Sequence, residues 1–427
     1  MVFTRLSLGR AHALATALAR HVQRAGLPAA ALVPVGSLRR FASEIGDVTL
    51  LAVAAPERQR EVLDGLARLT PSVSVLRRTE TSIALSTEKG PVAVHVAPPQ
   101  DAGAALLWHT GSRRHTGAMR AHARSRGYEF VDGRLHRAGV RVDTPTEDVI
   151  YTRLDLPYIP PELREDGSEV ALAERNGLPQ LVAVPHIRGD LHSHTIWSDG
   201  RDTTERMVQA ARDLGYEYFA ITDHSERAWA SRTLGMGDVA KQRAEIDAVR
   251  ARVPGIEVLH GIEVDIMPDG SLDFPDTVLE GFDIVLASLH DQAGQGGAAL
   301  TERYVTAMRH PLVSVITHPA NRSPGHSAGY DLDFETLFEV AVETGTAMEV
   351  DGAPGHLDMD GAVARRAAER GVTVVVDSDC HRAENLGRQM EFGVGTARRG
   401  WLEPRHVLNT KGIAEIRRFV ARKRGHR

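Results

Sequence analysis

The sequence predicts an α/β protein whose C-terminal half is a barrel or near-barrel of parallel strands, preceded by a smaller α+β region. Two observations carry this. From residue 187 onward, apolar strand-like runs alternate with helix-length segments: IRGDLHSH, YEYFAITDH, IEVLHGIEV, DIVLASLH, LVSVITH, TAMEVD and VTVVVDSDCH, seven βα units. Before residue 154, helices, strands and a hairpin are mixed, and the Pro-rich stretch LDLPYIPPELRED (154–166) marks the change of regime. A chain of 427 residues is also too long for one ordinary core, so two domains are expected.

Taken in order, residues 5–25 have helical periodicity, 30–36 and 47–53 read as strands, and 57–68 as a helix. Period-two alternation around Glu88–Gly90 predicts a hairpin over 82–97. Helical, basic segments are expected to about residue 141. The organisation expected is a first domain over 1–100, a basic segment over 101–153, a linker over 154–186, the barrel over 187–405 and a basic C-terminal helix over 406–427.

The chain is 42% hydrophobic and 25% charged, with a net charge of −5 that hides local asymmetry. Residues 113–141 carry eight Arg against Glu129 and Asp132, and residues 411–427 carry seven Lys or Arg against Glu415. Such patches on an otherwise acidic chain can grip a polyanion, although solvated helix faces look the same in sequence. The single Cys rules out an intrachain disulfide and suits a reducing compartment. There is no signal-peptide pattern and no apolar run near about 18 residues, so the expected location is cytoplasmic, away from membranes.

In parallel barrels, chemistry sits at the C-terminal ends of the strands. Those ends carry His192, His194, Asp199, His224, Glu263, His290, His318, Asp379 and His381. A lone His after a strand is an ordinary core or capping residue. Six of them with three carboxylates at equivalent ends form a metal-binding pattern. Nine ligands exceed one tetrahedral ion and suit two or three, and Mn, Zn and Fe all accept mixed imidazole–carboxylate sets. Hydrolysis is the matching chemistry, because such ions lower the pKa of water and neutralise phosphoester oxygens. Asp190 and Asp223 are expected either to orient His192 and His224 or to cap strand ends. Cys380, between two ligands, is expected to face away from them. Arg322 and Ser323, after THPAN, are candidate phosphate contacts at the rim.

The segments DLHSHTIWSDG, ITDHS, GIEVDI, ASLH, THP and SDCH resemble the successive motifs of the PHP (polymerase and histidinol phosphatase) family over roughly 186–400. The resemblance implies a distorted (β/α)7 barrel with a trinuclear centre that hydrolyses phosphoesters. It places His192, His194, Glu263 and Asp379 on one ion, and Glu263, His290 and His318 on a second. Asp199, His224 and His381 hold the third. Asp379, Glu263 and His192 are the residues it most directly implicates in catalysis. Upstream, GSLRRFASEIGDVTLL (36–51), ALLWHTGSRRH (105–115) and TPTEDVIYTRLDLPYIPPELRE (144–165) resemble the palm, thumb and connector of bacterial family X DNA polymerases that end in a PHP domain. The basic helix IAEIRRFVARKR (413–424) fits the same pattern. This implies a palm over 1–100 and a thumb over 101–153, with Gly36 and Ser37 in the triphosphate-gripping turn. Arg113, Arg114, Arg120 and Arg124 become nucleic-acid contacts.

The palm departs from that family. Of three carboxylates that hold two Mg²⁺ ions, Asp47 is present, but Thr49 and His95 stand at the other two positions. One carboxylate cannot clamp two hard cations, so DNA synthesis is not expected. Thr116 replaces a usual Asn, and Asp351 and His356 stand where Asn and Arg are usual, so the substrate grip is expected to differ. Relative to the family, the sequence also starts inside the polymerase region, without the lyase domain and most of the fingers. The expected function is a metal-dependent phosphoesterase, a 3′→5′ exonuclease or 3′-end processing enzyme on DNA, with its N-terminal half as a platform. The alternatives are a small-molecule phosphatase of the histidinol-phosphatase kind and a DNA-binding scaffold whose metal centre is idle.

Overall fold

A computed structural model describes residues 5–29, 31–69, 74–228 and 230–425. The chain forms two compact units, residues 1–179 and 180–427.

The second unit is built on seven parallel strands in sequence order: β1 (Gly189–Asp190), β2 (Tyr218–Ile221), β3 (Glu257–Asp265), β4 (Ile284–Ser288), β5 (Val313–Ile316), β6 (Ala347–Asp351) and β7 (Val374–Asp377). Side chains alternate across each strand. Outward residues such as Phe219, Ile221, Val258, Ile262, Val285, Met348 and Val376 pack in the helix-covered outer core. Inward residues divide by height. Tyr218, Leu259, Ile284, Leu286, Val315, Ala347 and Val375 form a dry inner cluster. Nearer the C-terminal ends, the inward positions are Glu263, Glu349, Asp351 and Asp377, all fully buried. Apolar below and ionisable above is the sequence pattern of a barrel with one working mouth. Glycine is required at 189, where a Cβ would lie 2.3 Å from the Tyr218 ring.

The barrel is nearly closed. No ladder joins β1 to β7 among the described residues; an isolated bridge pairs Ser193 with Cys380, and Asn409 spans the seam. Its amide donates to Gly189 O (2.9 Å) and Val376 O (2.6 Å), and its Oδ1 accepts from Val376 N (3.1 Å). Asp377 Oδ1 accepts from Leu191 N at 2.8 Å, and Asp190 Oδ1 from Ser378 N at 3.2 Å. Side chains thus satisfy edge groups that a ladder would otherwise pair.

The helix Ile413–Gly425, expected as a basic appendage, is an amphipathic plug. Ile416, Phe419 and Val420 join the inner apolar cluster, closing the bottom of the barrel. Lys423 Nζ is buried against Met308 O (2.5 Å) and Arg424 donates to Phe282 O (2.6 Å), while Arg417, Arg418 and Arg422 stay exposed. Residues 426–427 lie outside the described residues.

In the first unit the expected hairpin forms, Ser82–Thr87 against Gly90–Ala97, within a five-stranded sheet that also contains Val33–Pro34, Val48–Val53 and Ser74–Arg78. The strand expected over 30–36 shrinks to Val33–Pro34 at the sheet edge, where a Pro without an N–H is tolerated; Ala30 lies outside the described residues. The helical reading up to 141 is corrected. After helices Ala102–Thr110 and Arg113–Ser125, strands Tyr128–Val131, Arg134–Arg137 and Val140–Arg141 make an antiparallel sheet. Tyr128, Phe130 and Leu135 are buried in alternation about Asp132–Gly133, both at positive φ, which is a hairpin signal that the Arg-rich composition masked.

The segment expected as a linker is also corrected, because much of it is built into the first unit. Helix Ser168–Glu174 places Glu169 against His115 at 2.7 Å, with both side chains buried. Arg164, fully buried, donates to Glu147 Oε1 (2.6 Å), whose Oε2 accepts from Arg39 (2.6 Å). A buried cation is tolerable only when paired in this way.

Candidate metal centre at the barrel mouth

All nine side chains expected as ligands gather at the C-terminal mouth of the barrel. Glu263, inward on β3, is the hub. Its Oε2 lies 3.3 Å from His192 Nε2, 3.6 Å from His194 Nε2 and 2.8 Å from His224 Nδ1; its Oε1 lies 3.0 Å from His318 Nε2 and 4.0 Å from His290 Nε2. Asp379 Oδ1 approaches His194 Nε2 to 3.0 Å and His192 Nε2 to 3.6 Å. Asp199 Oδ1 is 3.2 Å from His381 Nε2 and 3.6 Å from His224 Nε2. Three sets offer ligand atoms within 4.8 Å of one another: His194, Asp199, His224 and His381; His192, His194 and Glu263; His224, Glu263 and His290. Two ligands about 2.1 Å from a shared tetrahedral ion sit about 3.4 Å apart, which is the spacing seen.

The donor set fits metal ions better than it fits hydrogen bonds. His192 Nε2 and His194 Nε2 face each other at 3.1 Å. Asp199 Oδ1, His224 Nδ1 and Glu263 Oε2 are buried without a hydrogen-bond partner among the described residues, the last two despite their 2.8 Å approach. Orphaned buried polar atoms are costly unless ligation satisfies them. Burial and the neighbouring His224 and His381 depress the His194 imidazole to about 3, so it remains a neutral donor. Burial opposes the charge on Glu263 and Asp379, yet the surrounding imidazoles hold both carboxyls well below their usual range. His318 and Asp379 adopt positive φ (23° and 47°), local strain that aims their side chains into the centre.

Several supports were not legible in the sequence. Glu349, inward on β6, accepts from His192 Nδ1 at 2.7 Å and from His318 N at 2.8 Å. Asp265 takes His290 Nδ1 at 3.0 Å, and the Asp379 carbonyl takes His381 Nδ1 at 3.0 Å. In each case Nδ1–H is tied down and the Nε2 lone pair is left for the centre. Thr317 donates to Glu263 Oε1 at 2.9 Å. The only early hint was residue type: Glu349 and Asp265 are carboxylates near the C-terminal ends of barrel strands.

Of the two roles expected for Asp190 and Asp223, orienting an imidazole or capping a strand end, the first is not taken up: neither residue bonds an imidazole among the described residues. Asp190 bonds backbone, His192 N and Ser378 N, rather than an imidazole. Asp223, which alternates outward from His224, accepts from Thr195, Ser198 and Gln242 and so fastens the loop that presents Asp199. Cys380 is packed in the outer core, as expected. Arg322 lies 3.3 Å from Asp360, and Ser323 is bridged to Ser327. His356 stacks on His318 with centroids 5.1 Å apart, and Asp351 is buried on β6.

In the first unit, Thr49 donates to Asp47 at 3.0 Å and His95 stacks on His109 at 3.8 Å, so no second carboxylate faces Asp47 from either position. Gly36 has a positive φ (63°) and opens, with Ser37, the single helical turn Gly36–Arg39. Arg113, Arg114, Arg120 and Arg124 are all exposed on helix Arg113–Ser125. Arg113, Arg120 and Arg124, spaced i, i+7 and i+11, share one stripe, while His115, Met119, His122 and Ala123 face the core.

The PHP domain family matches residues 190–316, and the DNA polymerase beta thumb family matches residues 105–165. The DNA polymerase/3′-5′ exonuclease PolX of Bacillus subtilis (strain 168) is 36% identical over 91% of this chain and 68% of its own length. The chain belongs to the PHP-type family X DNA polymerases. The chain is also similar to probable phosphatases. One from Thermoanaerobacter sp. (strain X514) is 28% identical over 55% of this chain and 95% of its own length. One from Caldanaerobacter subterraneus subsp. tengcongensis is 30% identical over 47% of this chain and 78% of its own length. This PHP-type family X chain is accordingly a hydrolase-family protein, with a His/Asp/Glu cluster suited to metal ions.

Proposed function

We propose that the chain is a metal-dependent phosphoric ester hydrolase acting at DNA 3′ ends, as a 3′→5′ exonuclease or end-processing enzyme in the cytoplasm. Its palm serves as a binding platform and does not polymerise. The observation that carries this reading is the Glu263 hub, on which five imidazoles converge within 4.0 Å.

Two or three divalent ions, of Mn, Zn or Fe, fit the cluster: one with His192, His194, Glu263 and Asp379, one with Glu263, His290 and His318, and one with Asp199, His224 and His381. Bound there, they lower the pKa of water and neutralise charge building on phosphoester oxygens. The chain's own residues set the geometry. Glu349 and Asp265 fix the rings of His192 and His290, Thr317 fixes the Glu263 carboxylate, and Asp223 fixes the loop bearing Asp199. The Arg113–Arg120–Arg124 stripe and Arg114 supply sequence-independent phosphate contacts. Arg322 and Ser323 remain candidate substrate contacts. The Bacillus relative is named for polymerase and exonuclease activities, which supports DNA over a small phosphoester.

The test is release of mononucleotides from a labelled 3′ end by the Mn²⁺-loaded chain, with Asp379→Ala abolishing it. Faster turnover of histidinol phosphate or a similar small ester than of DNA would instead establish the small-molecule phosphatase that the relatives named as probable phosphatases favour.

A further inference from the structure

At the end of the barrel opposite the metal centre, the C-terminal helix leaves a concavity of about 350 Å³. It lies below β7: Thr373, just before that strand, lines it, whereas Asp379 follows the far end, roughly 20 Å away at strand rise. Its floor includes buried Val372, Val407, Leu408 and Phe419. Its rim carries Arg405, Lys411, Arg418 and Arg422 against a single lining carboxylate, Glu415.

The charges are not balanced locally. Arg405 meets Glu403 at 2.7 Å and Arg418 meets Glu415 only at 3.9 Å. Among the described residues, Lys411 and Arg422 have no carboxylate within ion-pair distance. A net-negative chain that collects four cations around one hollow has a local field of the opposite sign to its whole. A flat cationic strip suits a polymer backbone. A hollow of small-ligand size with an apolar floor and cationic rim suits one compact molecule with an apolar body and an anionic head.

We propose that this hollow is a second ligand site, binding the phosphate monoester of a nucleotide, either free or at the 5′ end of a strand. Guanidinium groups of Arg418 and Arg422, one helical turn apart, take the phosphate with Lys411, and the apolar floor takes the nucleoside face. The site is independent of whether the metal centre cuts DNA.

Calorimetric titration of the full, metal-loaded chain with dAMP tests it. Two binding events are expected: one lost with Asp379→Ala, the other weakened roughly tenfold or more by Arg418→Ala/Arg422→Ala. Arg417→Ala, outside the hollow, leaves both unchanged. Thermal melting reports whether the double variant is folded; if it is not, Lys411→Ala is the variant to measure, and it weakens the same event. With dAMP bound, displacement by a 5′-phosphorylated oligonucleotide identifies a strand end as the source, and a lack of displacement by it identifies a free nucleotide. The proposal is overturned if the folded variant binds dAMP like the parent, if inorganic phosphate binds as tightly as dAMP, or if a 5′-hydroxyl oligonucleotide competes equally well.

Discussion

Glu349 Oε1 accepts from His192 Nδ1 at 2.7 Å, and its Oε2 accepts from the His318 backbone N–H at 2.8 Å, so one buried carboxylate braces two sides of the metal cluster. Glu349→Gln keeps the shape but presents an amide donor to one of two donors. The expected result is a loss of roughly 10- to 100-fold in metal affinity with the barrel still folded. Chelator competition followed by metal analysis measures it; parental affinity in the variant would refute the bracing role.

Asn409 is expected to matter for stability out of proportion to its size. Asn409→Leu preserves volume but strands Gly189 O, Val376 O and Val376 N at the β1–β7 seam. Leaving such buried groups unpaired costs about 2–4 kcal/mol in total. Urea unfolding of parent and variant reads this directly, and a difference under about 0.5 kcal/mol, the usual range of neutral surface changes, would contradict it.

The palm should not extend a primer. Thr49 bonds Asp47 and the His95 ring is stacked on His109, so neither position supplies a second carboxylate beside Asp47. Template-directed dNTP incorporation that disappears with Asp47→Ala is the result that would prove this wrong.

Neutralising Arg120 and Arg124 should weaken DNA binding and flatten its salt dependence by about one counterion per lost contact. Hydrolysis of a small phosphomonoester should be unaffected. Arg120 also lies 5.6 Å from the centre of the Trp108 ring, so Arg120→Lys retains part of the effect on charge and loses the ring contact. Identical salt slopes for parent and double variant would remove the stripe from the DNA-binding reading.

Burial, helped by neighbouring His95, lowers His109 from 6.5 to about 4. The unfolded chain therefore takes up the proton first, and the first unit keeps its full stability above pH 6.5 and loses it as pH falls toward 4. The loss is on the order of 3 kcal/mol at pH 4 for this group. His109→Leu should flatten that limb of the stability–pH curve; an unchanged slope would show that other groups set it.

Much of the metal cluster was written locally. A strand fixes which side chains share a face, and most runs from IRGDLHSH to VTVVVDSDCH end on their own polar residues, so the candidate ligand positions could be read one strand at a time. The hairpin at 82–97 was legible for the same reason, since period-two alternation needs no partner to be recognised. Glu349 was not legible. In TAMEVD it is one more strand carboxylate, and its meaning comes from His192, 157 residues away. The outward turn of Asp223, the seam role of Asn409 and the burial of Arg164 against Glu147 are of the same kind. Side-chain alternation is a property of neighbours in sequence. Which buried donor meets which acceptor is settled only when the barrel nearly closes and brings its first strand to its last.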